Sequence, residues 1–316
     1  MNTPLVSVIM SVYNGARFLP EALESVAGQT FKDFEFLVVN DGSTDDSPEI
    51  IRAFPDPRFR LISNPENIGL TRSLNRAIAL ARGSYIARQD ADDFSLPQRL
   101  EEQVKYLENH RDVALLGTSV RVIDELTGET RDITAAADPA PGLRRQNQFY
   151  HGSVMFRKGV VAGLGGYNEL FRYGQDYELW LRIAAQHRVA NLGRVLYVFR
   201  LHRESIRAAR VEAAMLYHFL AQRTAGGRSP GAGTDLTGGD ISRLYDRLDA
   251  SEKTLFHRAV GQVHARNGDL KTARREYARA WKSRPWDLRS AAGWLLTFST
   301  RRLMLRFYRL NDFIRS

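Results

Sequence analysis

Cysteine is absent from the 316 residues, which excludes disulfides, zinc–thiolate sites and cysteine nucleophiles. No run approaches the ~20 apolar residues that a membrane-spanning helix needs. The apolar stretch Val6–Val12 follows Met1-Asn2-Thr3-Pro4 without a basic leader or a small-residue cleavage site, so it reads as a first β-strand rather than a signal peptide. The cytoplasm is then the simplest expected compartment. The first turn, Tyr13-Asn14-Gly15-Ala16-Arg17, lacks the Gly-x-Gly-x-x-Gly pattern of dinucleotide enzymes, and no Walker-type loop occurs. The early Gly-rich basic loop of a nucleotidylyltransferase is missing too, although that activity remains an alternative because it shares strand-end aspartates. A cationic main domain is also lacking. Residues 240–316 hold 17 Lys+Arg against 8 Asp+Glu, of 45 and 36 in the whole chain, which leaves 28 of each sign in residues 1–239. The net charge of +9 therefore resides in the C-terminal quarter, and a neutral main domain speaks against nucleic acid as a partner.

What is present is a chain 43% hydrophobic, enough for one large domain with a smaller helical appendage. The first hundred residues alternate strand and helix patterns. Val6–Tyr13, Phe34–Asn40, Phe59–Ser63 and Ser84–Arg88 read as strands, the first two as apolar runs buried on both faces. Helical spacing appears over Phe18–Val26, from Ser47-Pro48 to Phe54 with Ser47 as N-cap, and over Leu70–Ala81. Ser95-Leu96-Pro97-Gln98 predicts a capping-box entry to another helix. Further on, Val113–Gly117 and Arg194–Phe199 read as strands, Asp176–His187 as a helix and Ala135–Gly142 as a loop. The expected fold is α/β: a mostly parallel sheet flanked by helices, with an all-helical C-terminal extension. Residues 1–223 form the main domain, 224–239 a Gly/Ser/Thr/Pro-rich linker, and 240–316 the basic helical region.

Ligands of open parallel sheets sit outside the carboxyl ends of the strands. Two strands here end in acids: Asp41 after the second, and Asp90, Asp92 and Asp93 after the fourth. Three aspartates in four residues repel one another unless a cation or donor groups compensate. Carboxylates completed by phosphate and water suit Mg2+ or Mn2+. A plainer reading has Asp92 and Asp93 flanking the N-terminus of the next helix, where the dipole favours anions.

The segments Pro4–Asn14, Val39-Asn40-Asp41-Gly42-Ser43-Thr44-Asp45, Asn67-Ile68-Gly69-Leu70, Asp90-Ala91-Asp92-Asp93, Gly174–Arg182 and Arg200-Leu201-His202 together resemble the large inverting family of GT-A glycosyltransferases, the family 2 type of bacterial cell-surface glycan synthesis. The resemblance covers about residues 4–205 and implies a GT-A fold and a nucleoside diphosphate sugar donor, uridine-linked before others, with a glycan or lipid-linked acceptor. Carried over by position, it implies that Tyr13 stacks on the base, Asp41 accepts base or ribose hydrogen bonds, Arg72 sits near the nucleotide, and Asp90 helps hold it. Asp92 becomes the principal metal ligand and Asp176 the general base. His202 lies close to the diphosphate or metal, and His151 on the acceptor side. Many relatives carry an acid just before that base; here Gln175 stands there, leaving Asp176 as the sole candidate. Asp176 also has a plain role available as a helix cap, and a lone histidine such as His202 is as often structural as functional. A non-catalytic nucleotide-sugar binder is a further alternative, one that loss of Asp92 or Asp176 would favour, and both are present.

In the basic region, residues 252–288 carry Gly261, Ala265, Ala273, Tyr277, Ala280 and Pro285 in the pattern of one tetratricopeptide-type helix pair, read as a hairpin rather than an array. Over Arg301–Ser316, Leu303, Phe307, Leu310 and Ile314 form one helical stripe beside Arg302, Arg306 and Arg309. Such a helix either lies on an anionic membrane surface or docks as an ordinary terminal helix.

Overall fold

The computed structural model describes residues 3–125, 127–202, 211–225, 245–266 and 268–298. The chain divides into two compact units, one running to His202 and rejoined by 224–228, the other made of 203–223 and 229–316.

In the first unit β1 (Val6–Val12), β2 (Phe34–Asn40), β3 (Phe59–Ser63) and β4 (Tyr85–Arg88) run parallel in the order β3-β2-β1-β4. Helices α1 (Leu19–Ala27), α2 (Ser47–Ala53) and α3 (Leu70–Leu80) make the crossovers, so each short apolar run is followed by an amphipathic one. Val6, Val8, Met10, Phe36 and Val38 from the strands pack with Leu19, Leu23 and Val26 of α1 in one buried core. Beyond β4 the sheet becomes mixed. β5 (Phe94–Ser95), α4 (Arg99–Asn109), β6 (Val113–Asp124), β7 (Glu129–Ile133), α5 (Ala140–Leu143), a 3-10 turn at His151–Ser153, β8 (Met155–Arg157), α6 (Lys158–Gly163), α7 (Gln175–Ala184) and β9 (Arg188–Leu201) follow in turn. β8 lies antiparallel between β4 and β6, β9 is parallel to β6, and β5 and β7 add antiparallel edges. The strands expected at Val113–Gly117 and Arg194–Phe199 are longer than their apolar cores because they pair with each other along most of their length.

Two predicted caps fail for one physical reason: the hydroxyl has a better partner elsewhere. α4 opens at Arg99 after Gln98, while Ser95 sits in β5, its Oγ donating to Gln89 Oε1 at 2.6 Å and accepting from Arg99 at 2.6 Å. Ser47 lies inside α2 rather than capping it, and its Oγ accepts the Gly15 N–H at 3.0 Å, tying the loop after β1 to the loop after β2. The loop expected to end at Gly142 instead closes in α5.

The second unit holds α8 (Val211–Ala225), α9 (Ala250–Arg266), α10 (Leu270–Ser283) and α11 (Leu288–Leu296). Tyr277 of α10 is buried with Ala265 and Ala273, and a Cβ on Gly261 or Gly293 would press on its ring. Asp269 and Asp287 cap the last two helices by accepting from Thr272 and Ser290 N–H groups. Helix α8 runs through Ala225, so the first two residues of the expected linker are helical. Residues 226–239 and the stripe at 301–316 lie outside the described residues.

Candidate active site

The loops after β1, β2 and β4 leave the same edge of the sheet, since Val12 pairs with Asn40 and Ile9 with Arg88. Tyr13 stands there about half exposed, and Asn14 beside it adopts φ 53°, its Oδ1 accepting the Thr44 N–H at 2.8 Å. Asp41 departs from the solvent-facing acid expected: it is 2% exposed. Its Oδ1 accepts from Asn64 Nδ2 at 2.7 Å and Ile68 N at 3.0 Å, and its Oδ2 from Gly69 N at 2.9 Å. Gly42 next to it has φ +71°, and a Cβ there would lie 2.5 Å from the Glu66 carbonyl carbon. Asp41 therefore pins the Asn67-Ile68-Gly69 loop, which opens α3. Arg72, on the first turn of α3, is exposed and pairs with Glu169 at 3.3 Å.

At the end of β4 a guanidinium lies beneath the acids. Arg88 is fully buried, a placement costing several kcal/mol unless its charge and N–H groups are met. They are met by Ile9 O at 3.0 Å, Gln89 O at 2.6 Å, Asp90 Oδ1 and His151 Nε2 at 3.2 Å. Arg99, equally buried, donates to Gln89, Ser95, Gln103 and the Arg88 carbonyl, and burial pulls its pKa down to about 10. The three aspartates separate under these neighbours. Burial is the largest influence on the Asp90 carboxyl and would raise it, but the Arg88 charge and hydrogen bond together with His151 and Arg99 outweigh burial and hold it below the usual range. Burial pushes Asp93 well above that range, with Asp92 and Asp90 adding to the shift. Asp93 accepts from Tyr197 Oη at 3.0 Å and Arg200 N at 2.8 Å, so it latches β9 to the acidic loop. Asp92 keeps 37% of its side chain exposed and lies 2.9 Å from His202 Nε2. Since α4 begins only at Arg99, the helix-dipole reading of Asp92 and Asp93 does not apply.

No group of three or more metal-type side chains converges among the described residues. The Asp92–His202 pair offers one carboxylate and one imidazole, a donor set that fits a divalent cation whose other ligands are phosphate and water.

Across from the acids, Gly174 takes φ +65° and turns the chain into α7, whose second residue is Asp176. The Asp176 side chain caps no backbone group; its Oδ2 accepts from Asn147 Nδ2 at 2.8 Å. Beneath it Trp180 is fully buried against the rings of His151, Tyr167, Phe149 and Phe156. His151 Nε2 is 2.8 Å from Tyr167 Oη, and burial, reinforced by the Arg88 charge, lowers its pKa to about 4 against the pull of Asp176 and Asp90. Asp90, His151 and Asp176 thus share one electrostatic environment, with Asp92 and His202 on the Asp90 side and Tyr13, Asp41 and Arg72 around the neighbouring loops. Arg88, Arg99, Asn147 and Tyr197 were not singled out from the sequence, whereas Gly165-Gly166-Tyr167 reads there as a turn beside the acceptor cleft. One signal was available: an arginine ending the strand Tyr85-Ile86-Ala87-Arg88, two residues before an acid, marks a buried charge with its counter-charge.

The model of "Glycosyl transferase family 2" matches residues 7–176. The chain is 32% identical to the O-antigen biosynthesis glycosyltransferase WbnJ of Escherichia coli, over 70% of this chain and 91% of that one. Two solved structures share the fold. S. aureus TarS 1–349 in complex with UDP-GlcNAc aligns with a TM-score of 0.58 at 15% identity, over 96% of this chain and 91% of that one. The mannosyltransferase PcManGT from Pyrobaculum calidifontis, in complex with GDP-Man and Mn2+, aligns with a TM-score of 0.58 at 20% identity, over 96% and 83%. With a sheet that changes from parallel to mixed at its acidic strand end, and a family match across more than half its length, the chain belongs to glycosyl transferase family 2.

Proposed function

We propose that this glycosyltransferase moves one sugar from a nucleoside diphosphate donor, uridine-linked before others, to a hydroxyl acceptor, inverting the anomeric centre in a single displacement. The observation that carries the reading is Asp176: a carboxylate at a helix start, with Oδ2 alone engaged among the described residues, in the same electrostatic environment as the strand-end acids. In this reading Asp176 takes the proton of the acceptor hydroxyl as its oxygen attacks. Tyr13 stacks on the base. Asp41 acts through the Asn67–Gly69 loop it pins, and Arg72 exchanges Glu169 for the nucleotide. Asp90, held by Arg88, orients the donor. Asp92 with His202 would hold Mg2+ or Mn2+, which supplies charge neutralisation of the departing diphosphate. A structural neighbour in complex with GDP-Man and Mn2+ and another in complex with UDP-GlcNAc support a nucleotide-sugar donor and a divalent cation.

The relative in O-antigen biosynthesis supports a cell-surface glycan or lipid-linked acceptor, which would place the enzyme on the cytoplasmic face of a membrane. Among the described residues no helix is long and apolar enough to cross one, so attachment would be peripheral, through the basic C-terminal region. Residues 1–223 would then serve as the transferase domain and 240–316 as the basic helical region, joined by 224–239. The test is incubation with a panel of nucleotide sugars and the host's lipid-linked glycan fraction, reading the product anomer by NMR. Transfer with inversion, lost about 10²–10⁴-fold in Asp176→Asn, is the expected result. Retention of configuration, or full activity in Asp176→Asn, contradicts it.

A further inference from the structure

His151 is the second basic group beside the reaction centre, and its surroundings determine what it can do. Three observations converge on its ring. Arg88 Nε donates to His151 Nε2 at 3.2 Å. An arginine has no acceptor, so Nε2 must present its lone pair. Tyr167 Oη lies 2.8 Å from the same nitrogen and can donate to it as well. Nε2 is therefore spoken for from two sides. Nδ1 has no hydrogen-bond partner among the described residues, and it is not among the buried polar atoms that lack one, so it reaches solvent.

We infer that His151 stands as a neutral imidazole with its proton on Nδ1, and that it offers this N–H as a fixed hydrogen-bond donor to an oxygen of the bound substrate. The inference rests on the glycosyltransferase reading for the substrate, and on this chain's geometry for the tautomer. It removes His151 as a competitor for the base: the nitrogen that faces outward already carries a proton, and the one with the lone pair faces Arg88. Arg88 is in turn a positioning residue. One guanidinium sets the imidazole tautomer and holds the Asp90 carboxylate, so His151 and Asp90 are aimed by the same buried charge. The groups that act electrostatically on the ring are Arg88, Asp176 and Asp90, and the same burial that satisfies Nε2 holds its pKa at about 4.

The receiving oxygen belongs either to the donor (a sugar hydroxyl or phosphate) or to the acceptor hydroxyl, and two amide substitutions test the donor role directly. His151→Asn places an amide at the Nδ1 position and removes the partner of Arg88. His151→Gln keeps a partner for Arg88 and removes the Nδ1 donor. A structural role predicts that Gln is the better substitute; a donor role predicts Asn, with kcat/KM at least about tenfold above Gln. Weaker calorimetric binding of the donor in Gln than in Asn assigns the oxygen to the donor. A change confined to the acceptor KM assigns it to the acceptor.

Independently of activity, long-range 1H–15N NMR of the full chain labelled at histidine, with His151 identified by its loss in the Asn variant, should show the Nδ1–H tautomer unchanged from pH 5.5 to 8.5. An Nε2–H or imidazolium pattern, or Gln equal to or better than Asn, overturns the inference. If wild-type protein transfers no sugar while the NMR pattern holds, the functional reading has failed and the tautomer assignment has not.

Discussion

At the scale of residues, the acids that look alike in sequence divide by environment. Asp41 and Asp93 are each 2% exposed and fully engaged in holding loops, whereas Asp92 keeps an open face toward His202. Asp92→Ala should therefore leave the thermal melt nearly unchanged while abolishing metal-dependent ligand binding. Asp93→Ala, which frees the Tyr197 hydroxyl and the Arg200 N–H, should lower stability by about 1–3 kcal/mol. Equal loss of stability in both variants, read by differential scanning calorimetry, would show that the division is wrong. Gly152 is a second discriminating position: a Cβ there would overlap Tyr197 Oη and lie 2.7 Å from Asp90 Oδ2. Gly152→Ala is expected to displace Asp90 and weaken donor binding at least tenfold in titration calorimetry, although glycine to alanine is otherwise the mildest of changes. None of this division is visible in the string Asp90-Ala91-Asp92-Asp93, because it depends on the His151 turn and β9, which arrive about 60 and 110 residues later in the chain.

At the scale of elements, the first half of the sheet was legible because β1, β2 and β4 are short buried runs, β3 carries Phe59, Leu61 and Ile62, and each helix has a clear apolar face. Beyond β4 the signal weakens. β7 is exposed at every residue but its last, Ile133, β5 is two residues long, and β9 continues well past its apolar core, so pairing rather than composition defines them. Buried polar links between elements were equally hidden. Glu35 on β2 accepts from Ser7 Oγ of β1 at 2.7 Å and from Arg82 N at 2.7 Å and Nε at 2.9 Å, in the loop before β4. Burial raises its pKa, but these donors outweigh burial and hold it below the ordinary value. A carboxyl with a lowered folded pKa adds stability above its unfolded pKa and loses it as pH falls through the folded one. Glu35→Gln should thus cost about 1–3 kcal/mol in urea unfolding at pH 7, with the gap to wild type closing below about pH 4. A gap independent of pH would rule out the ionised carboxylate as its source. In the second unit, Gly293→Ala drives a methyl into the buried Tyr277 ring and should lower the melting of the helical unit despite alanine's better helix propensity.

At the scale of the whole molecule, the asymmetry of charge is the most telling feature that sequence alone supplied. Residues 1–239, which contain the family 2 match, carry no net charge, and the C-terminal quarter holds the full +9. If that region meets anionic lipid, the full chain should sediment with vesicles of phosphatidylglycerol and not with phosphatidylcholine, and should be released by raising salt, since each cation near the surface contributes about 1 kcal/mol. Sedimentation indifferent to lipid charge would remove electrostatics as the cause. The proposed role of Asp92 in the first unit, to hold with His202 the divalent cation through which a nucleoside diphosphate would bind, is the point on which the function turns. Its most direct measurement is calorimetric titration of UDP and other nucleoside diphosphates into the full chain, with and without Mn2+, in wild type and Asp92→Ala. The expected result is Mn2+-dependent binding of at least one diphosphate, UDP first, and its loss in the folded variant. Binding that ignores both the metal and Asp92, or no binding of any nucleotide by folded wild-type protein, would contradict it.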